Sequence, residues 1–178
     1  MPPHRIDETI AFVPVRIAVM TVSDTRTPAN DTSGDTLVAR IAEAGHVVAA
    51  RALVPDDVSL IRRHLDRWIA DPKIDVVIST GGTGLTGRDV TVEAFRAVFE
   101  KEIDGFSAIF HQVSFEKIGT STLQSRACAG VAQGTYLFAL PGSTGAVKDG
   151  WDEILKWQLD IRHRPCNFVE IMPRLEEK

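Results

Sequence analysis

The loop at residues 79–91, STGGTGLTGRDVT, combines closely spaced glycines with an acidic side chain. Gly82, Gly84 and Gly87 reproduce the G-x-G-x-x-G spacing with which dinucleotide-binding loops hold a pyrophosphate at a helix N-terminus. Asp89 follows the last of these glycines, and a carboxylate beside a bound phosphate is repelled by it. The chemistry of the loop therefore depends on what the glycines hold and on how Asp89 is neutralised.

The segment after this loop argues against a dinucleotide-binding enzyme. That fold needs a second strand whose last residue is an acid that binds the ribose. Residues 101–113, KEIDGFSAIFHQV, instead repeat their apolar side chains at helical spacing. The loop also lacks the Lys-Ser/Thr ending of a Walker A motif. We predict an anion-binding nest of backbone N–H groups and two hydroxyls. Its members are Thr80, Gly81, Gly82, Thr83 and Gly84.

Acidic side chains next to this nest favour a metal–nucleotide site. A divalent cation removes the conflict with phosphate, because Mg²⁺ commonly bridges one or two carboxylates and substrate phosphates. Asp56 and Asp57 follow a predicted strand, and either of them can be the N-cap of the next helix. Asp89 also has a structural alternative, as a helix cap or as the partner of Arg88. Two acids from neighbouring strand ends that face the nest would form the site.

Strand and helix patterns alternate along the chain. Continuous apolar, β-branched runs predict buried strands at 15–22, 46–54 and 74–80. Residues 127–143 predict two further strands joined by a tight turn at Gln133–Gly134. Apolar stripes at helical spacing follow the first three strands and the last one, and Thr91 is the predicted N-cap of one helix. The alternation predicts an α/β sandwich with a mainly parallel sheet.

The loops at the carboxyl ends of the strands are expected to converge. Ligands of open α/β sheets bind outside these strand ends. Unusual loops occupy the corresponding positions of the sequence, at residues 23–34, 55–57, 81–89 and 141–145. The binding site is therefore predicted at one edge of the sheet.

Composition limits the classes of partner. The 178-residue chain has a formal net charge of −4 and no run of Lys or Arg, so nucleic acid is not an expected partner. No apolar segment reaches membrane-spanning length, and no signal pattern begins the chain, so we expect no membrane partner and a cytoplasmic location. Two cysteines and five scattered histidines lack metal-ligand spacing, and the histidines are predicted to be surface or packing residues. We divide the chain into an N-terminal arm, 1–14, and a single domain, 15–178.

Several separated motifs, taken together, resemble one family. ISTGGTGLTGRDVT, with TVSDTR and DTSG before it and LPGSTGAVKDGWDEIL after it, is similar to the molybdenum-cofactor biosynthesis proteins MoaB and MogA and to a domain of gephyrin. The stretches IGTSTLQSRACAG and RPCNFVEIMPRL resemble the B-type branch of this family. The similarity extends over about residues 12–175, and one departure is Val92, where the family often has a proline that begins the helix.

The resemblance implies a three-layer α/β domain that binds molybdopterin, a pterin with a dithiolene and a terminal phosphate. Active family members transfer AMP from Mg²⁺-ATP to that phosphate, so the implied activity is that of a molybdopterin adenylyltransferase, with ATP and molybdopterin as substrates. The two essential carboxylates of the family fall on Asp56 and Asp89, which are the implied Mg²⁺ ligands and catalytic residues. The family also implies a homotrimer or, in the B-type branch, a homohexamer.

Other positions match pocket motifs of the family. The glycine loop Thr80, Gly81, Gly82, Thr83 and Gly84 corresponds to its phosphate-binding loop, and the remaining substrate-binding positions are Ser23, Asp24, Gly142 and Ser143.

Three questions stay open at this point. The protein can be a non-catalytic molybdopterin-binding or scaffold protein of the same pathway instead of an enzyme. A motif at Ser121, Thr122, Ser125 and Arg126 either reaches the ligand or is structural. Trp157 and Leu159 lie off the main apolar stripe of the last helix, so they either form an oligomer face or pack against the C-terminal arm.

Overall fold

A six-stranded sheet with the order β3-β2-β4-β7-β6-β5 forms the centre of the protein. The computed structural model describes residues 4–178. The strands are β1 Arg5–Ile6, β2 Arg16–Val22, β3 Val47–Val54, β4 Val76–Thr80, β5 Lys101–Glu102, β6 Cys128–Ala132, β7 Thr135–Leu140 and β8 His163–Arg164. Strands β3, β2, β4 and β7 run parallel, β6 and β5 continue the sheet antiparallel, and β1 pairs with β8 separately. The predicted mainly parallel sheet is confirmed.

Helices follow most of the parallel strands, as the sequence predicts. They are α1 Thr32–Glu43, α2 Val58–Ile69, α3 Thr91–Arg96, α4 Asp104–Ile118, α5 Thr144–Gly150, α6 Lys156–Gln158 and α7 Phe168–Ile171. A π-helical segment, Trp151–Leu155, joins α5 to α6, and 3-10 turns occupy Gly119–Gln124 and Met172–Arg174. Among residues 4–178, no helix is both long enough and apolar enough to cross a bilayer.

Two apolar clusters, one on each face of the sheet, give the fold three layers. Alternate residues of β2 enter different clusters, because successive side chains of a strand point to opposite faces. Ile17 and Val19 pack with the buried side chains of α1, α4 and α5. Ala18 and Met20 pack with those of α2 and α3. The three-layer α/β sandwich is therefore confirmed.

Two local predictions are wrong. Residues 101–113 are predicted to be helical throughout, but Lys101 and Glu102 pair with β6 before α4 begins. A strand of two residues is too short to produce an alternating pattern. Thr91 is not an N-cap, because α3 begins at Thr91 itself and its hydroxyl donates to the Gly81 carbonyl at 2.8 Å.

The N-terminal arm packs against the C-terminal part of the chain. Strand β1 pairs with β8, and the His4 ring stacks on Trp157 with 4.0 Å between ring centroids. Leu159 is fully buried, so its assignment to an oligomer face is wrong and the alternative of packing within the chain applies. Trp157 is half-buried under His4. Residues 1–3 of the predicted arm lie outside the described residues.

His46 is a buried histidine that connects the residue before β2 to the core. Its Nδ1 accepts a hydrogen bond from the Val15 N–H at 3.0 Å, and its ring lies between Phe12 and Trp151. Burial lowers the pKa of His46 below 6.5, although the Asp160 carboxylate opposes this shift. The neutral ring is therefore the form that the fold accommodates.

Protonation of His46 is expected to destabilise the protein in mild acid. Because the pKa is lower in the folded than in the unfolded protein, the stabilisation is complete above pH 6.5 and is lost as the pH falls toward the folded pKa. His46→Asn keeps an acceptor for Val15 but cannot be protonated. Urea unfolding at several pH values between 7.5 and 5 is expected to show a shallower loss of stability in this variant, and an unchanged pH dependence would contradict the assignment.

Candidate functional site

The four loops predicted to converge meet in one cleft at the carboxyl edge of the sheet. The cleft has a volume of about 240 Å³ and is lined by residues of every loop, among them Ser23, Asp56, Gly82, Asp89 and Gly142. A larger groove of about 400 Å³ lies beside α4 and α6, but its lining is mainly apolar. The smaller cleft has the polar groups and the position at the strand ends that ligands of such sheets require.

Backbone crowding explains the paired glycines at the start of the loop. Gly81 and Gly82 have φ angles of +100° and +66°, in the left-handed region that favours glycine. A Cβ on Gly81 would lie 2.2 Å from the Val22 carbonyl oxygen at the end of β2. A Cβ on Gly82 would lie 2.8 Å from Asp56 Oδ1 and 2.3 Å from Thr91 Oγ1. The space in front of the Asp56 carboxylate therefore exists only because residue 82 has no side chain.

Fewer donor groups of the anion nest are free to bind a ligand than the sequence predicts. The Gly81 N–H donates to the Leu140 carbonyl at 3.0 Å, and the Thr80 hydroxyl donates to the Pro141 carbonyl at 3.0 Å. The Gly84 N–H is directed at the carboxylate of Asp89. Of the three predicted glycine donors, only the Gly82 N–H has no protein acceptor within residues 4–178. Thr83 is buried, and its carbonyl is turned toward Arg126.

Asp56 and Asp57 have different roles, one as a side chain of the cleft and the other as a helix N-cap. Asp57 is the N-cap of α2 and accepts from the Leu60 N–H at 2.9 Å. The Asp56 carboxylate lines the cleft, and its backbone N–H donates to Asp24 at 3.0 Å. Burial raises the pKa of Asp56, and the negative charges of Asp24 and Asp89 raise it further. Asp56 is thus a carboxylate whose charge is disfavoured by its surroundings.

Asp89 is held by its own loop and not by either predicted structural partner. Its Oδ2 accepts from the N–H of Thr86 at 3.0 Å and from the Thr86 hydroxyl at 2.7 Å. Burial raises the pKa of Asp89, but these hydrogen bonds and the one from Gly84 outweigh it, so the pKa lies below 3.8. Arg88 binds Asp24 instead, at 2.7 Å. Asp89 also makes no cap, because α3 begins without a side-chain cap bond.

Ser23, Asp24 and Ser143 have mainly structural contacts. The Ser23 hydroxyl accepts from the Arg26 N–H at 3.0 Å and so shapes the first turn of its loop, which lines the cleft. Asp24 joins three loops, because its carboxylate accepts from both the Asp56 N–H and the Arg88 guanidinium. Ser143 is the N-cap of α5.

Gly142 lies against the glycine loop. A Cβ on Gly142 would approach the Gly81 Cα to 3.1 Å, so the last predicted loop packs directly on the paired glycines. Glycine at residue 142 thus lets this loop close one side of the cleft.

Four residues that line the cleft are not among the predicted site residues, and three of them, Thr21, Arg26 and Ser33, are polar. Arg26 brings a guanidinium to the lining, and hydroxyl side chains come from Thr21 of β2 and from Ser33 in the first turn of α1. The Arg26 guanidinium donates to the Asn30 carbonyl at 2.6 Å, which holds it across its own loop. The motifs TVSDTR and DTSG contain all three residues, but spacing alone does not say which positions of a loop face inward.

The cleft suits a ligand that is anionic and carries a cation. Asp56 and Asp89 both line the cleft, and Arg26 adds a positive charge to it. No group of three or more His, Cys, Asp or Glu side chains in the described part of the chain is arranged to hold a metal ion. A metal held here would therefore need ligand oxygens in addition to the two carboxylates.

Replacing Asp56 by Asn is expected to stabilise the free protein. Because the folded pKa of Asp56 lies above 3.8, ionisation costs folding free energy at neutral pH, and this cost vanishes as the pH falls below 3.8. Thermal unfolding at pH 7 is expected to give a higher Tm for Asp56→Asn than for the wild type. Asp57→Asn keeps an N-cap acceptor and is the matched control, expected to change little. A lower Tm for Asp56→Asn would contradict this account.

Comparison with known proteins identifies the family. Residues 18–161 match the family described as a probable molybdopterin binding domain. Molybdenum cofactor biosynthesis protein B of Escherichia coli K12 is 50% identical over 157 residues, which cover 88% of this chain and 92% of that protein. The protein of the same name from Bacillus subtilis is 44% identical over 142 residues, covering 79% and 84%.

Solved structures agree with the sequence comparison. A crystal structure of molybdenum cofactor biosynthesis protein B has a TM-score of 0.85 and 36% identity, and the match covers 95% of this chain and 100% of that one. The tungsten cofactor synthesizing protein MoaB from Pyrococcus furiosus has a TM-score of 0.71 and 35% identity, covering 80% and 91%. The chain therefore belongs to the molybdopterin-binding domain family of molybdenum cofactor biosynthesis proteins.

Proposed function

We propose that this protein binds molybdopterin in the cleft and transfers AMP from Mg²⁺-ATP to the terminal phosphate of the pterin. One observation carries the proposal: Asp56, after β3, and Asp89, after β4, lie on either side of the end of β2 and meet at the glycine loop. Asp56 has no hydrogen-bonded or ion-paired partner for its carboxylate within residues 4–178. Such a pair beside an anion-binding N–H favours a ligand in which a cation bridges phosphate and carboxylate.

The two carboxylates fit Mg²⁺ by their chemistry. Mg²⁺ prefers oxygen ligands, and one or two carboxylates with substrate phosphates are its usual protein setting. Burial is the largest cause of the raised pKa of Asp56, and repulsion from nearby carboxylates adds to it. A cation bound here would remove this repulsion. Asp56 and Asp89 would hold the ion, and when bound it would supply charge neutralisation to the phosphates.

The remaining groups of the cleft would bind and orient the substrates. In the reaction an oxygen of the pterin phosphate forms a bond to the α-phosphorus of ATP, and the bond from that phosphorus to the β-phosphate oxygen breaks, releasing pyrophosphate. The free Gly82 N–H would bind one phosphoryl oxygen, and the Arg26 guanidinium would offset charge on the phosphates. Asp24 would fix the backbone of Asp56. Catalysis of this kind is mainly positioning and electrostatic stabilisation.

A second function, as a non-catalytic molybdopterin-binding or scaffold protein, has one observation in its favour. The cleft volume of about 240 Å³ is below the roughly 300–1,000 Å³ of typical small-molecule sites. A pterin without a nucleotide needs the smaller space. This function requires pterin binding without an adenylylated product.

The assembly and the location of the protein stay predictions. A homotrimer or homohexamer agrees with exposed apolar side chains on and after α4, namely Ile109, Phe115, Ile118 and Leu123. A cytoplasmic location and the absence of nucleic acid partners rest on the sequence alone.

The two functions differ in product. Purified protein with molybdopterin, Mg²⁺ and ATP is expected to yield adenylylated pterin, detected by mass. Asp56→Asn and Asp89→Asn are each expected to lower turnover by about 10²-fold or more, because each removes charge that the transfer requires. Asp57→Asn, which alters only the α2 cap, is the matched control and is expected to keep its activity.

Binding must be measured on the same variants. Asp89→Asn is expected to keep molybdopterin binding while losing turnover. Pterin binding by the wild type without any product would contradict the transfer and support the scaffold function. Full turnover in a folded Asp89→Asn variant would contradict the role of Asp89.

A further inference from the structure

Arg126 contacts the glycine loop from outside the cleft. It lies between the 3-10 turn Gly119–Gln124 and β6, and it is absent from the residues that line the cleft. Its backbone N–H donates to the Thr83 carbonyl at 2.9 Å. Its Nε lies 3.2 Å from the Thr83 carbonyl oxygen and 3.1 Å from that of Gly84, and its Nη2 lies 3.2 Å from that of Asp89. One side chain thus joins both ends of the loop.

We propose that Arg126 is a positioning residue that fixes residues 83–89 and, through them, the orientation of the Asp89 carboxylate. The inference rests on the proposed function for its catalytic consequence, but its structural part stands on these contacts. For Arg126 it answers the open question about the motif at residues 121–126, since this arginine acts on the loop and not on the ligand.

The loop depends on such a contact because it has little apolar packing of its own. Residues 85–88 are exposed, and Leu85 is 68% exposed. The Asp89 carboxylate is oriented by Thr86 and Gly84, so its direction follows the backbone of those residues. An opening between Gly84 and Asp89 would therefore turn the carboxylate away from Asp56.

The Arg126 guanidinium also forms an ion pair on the side that faces α3. Glu93, in the first turn of α3, binds Nη1 and Nη2 of Arg126 with both carboxylate oxygens. Nε and Nη2 bind loop carbonyls, and Nη1 and Nη2 bind Glu93. All three nitrogens of the planar guanidinium are therefore engaged. A lysine has the charge but one nitrogen, so it cannot reproduce this geometry.

Hydrogen exchange of the free, full-length protein tests the structural part. In Arg126→Gln and Arg126→Lys, the hydrogen-bonded amides of Thr86 and Asp89 are expected to exchange about tenfold faster or more, because charged hydrogen bonds to the loop are lost. Amides of β4 are expected to keep their exchange rates. Arg96→Gln is the matched control: Arg96 is on the same helix as Glu93, binds Glu102 at 2.9 Å and is expected to leave the loop unchanged.

Two outcomes would overturn the inference. Wild-type exchange of the Thr86 and Asp89 amides in both Arg126 variants would show that the loop does not depend on this side chain. An increase spread evenly over the sheet and the loop would show a general structural role. If Arg126→Gln does not fold, Glu93→Gln provides the same test in milder form, since it frees one side of Arg126 and is expected to raise exchange of the Thr86 and Asp89 amides alone.

The catalytic part is measured separately. In the AMP-transfer assay, Arg126→Lys is expected to lower kcat about tenfold with little change in KM, because the substrates still bind but Asp89 is displaced. An unchanged kcat in a variant with a loosened loop would contradict this part. Absence of transfer in the wild type would refute the proposed function and leave the exchange result as the test of Arg126.

Discussion

The close approach of the glycine loop to its neighbours is the constraint on which the site depends. At Gly81 the backbone meets the Val22 carbonyl of β2, and at Gly82 it meets the Asp56 carboxylate, with no room for a Cβ at either residue. Because β2, β3 and β4 are adjacent parallel strands, their ends deliver these groups to one edge. The sheet thereby brings Asp56 into the electrostatic range of Asp89, although 33 residues separate them in the sequence.

Several local contacts determine which acidic groups of the cleft remain free to bind a ligand. Asp57 satisfies the N-terminus of α2, which leaves Asp56 for the cleft. Arg88 is bound to Asp24, so it does not neutralise Asp89. Burial and two nearby carboxylates disfavour the charge of Asp56, whereas hydrogen bonds favour the charge of Asp89. The result is an asymmetric pair of acids beside the free Gly82 N–H, and this arrangement is what supports the proposed binding of a cation with phosphate.

The sequence predicts the sheet and the meeting of the loops, because apolar runs mark buried strands and parallel strands end at one edge. The sequence does not predict which groups form hydrogen bonds with one another at that edge. Leu140 takes the Gly81 N–H, and Arg126 reaches Thr83 from 43 residues away. These bonds join loops that are distant in the chain, so no local pattern records them. The choice of Asp56 and not Asp57 as the site residue rests on the resemblance to a family. The structure supplies a physical reason, because Asp57 is used as the N-cap of α2.

The carboxyl pKa values of Asp56 and Asp89 give the most direct test of the account. They can be followed by NMR titration of the free protein and of the protein with Mg²⁺ and a non-hydrolysable ATP analogue. The account predicts that the pKa of Asp56 lies above 3.8 in the free protein and falls on addition of Mg²⁺ and the analogue, because a bound cation favours the charged form. A pKa of Asp56 that Mg²⁺ and nucleotide leave unchanged would contradict the claim that this pair holds a cation.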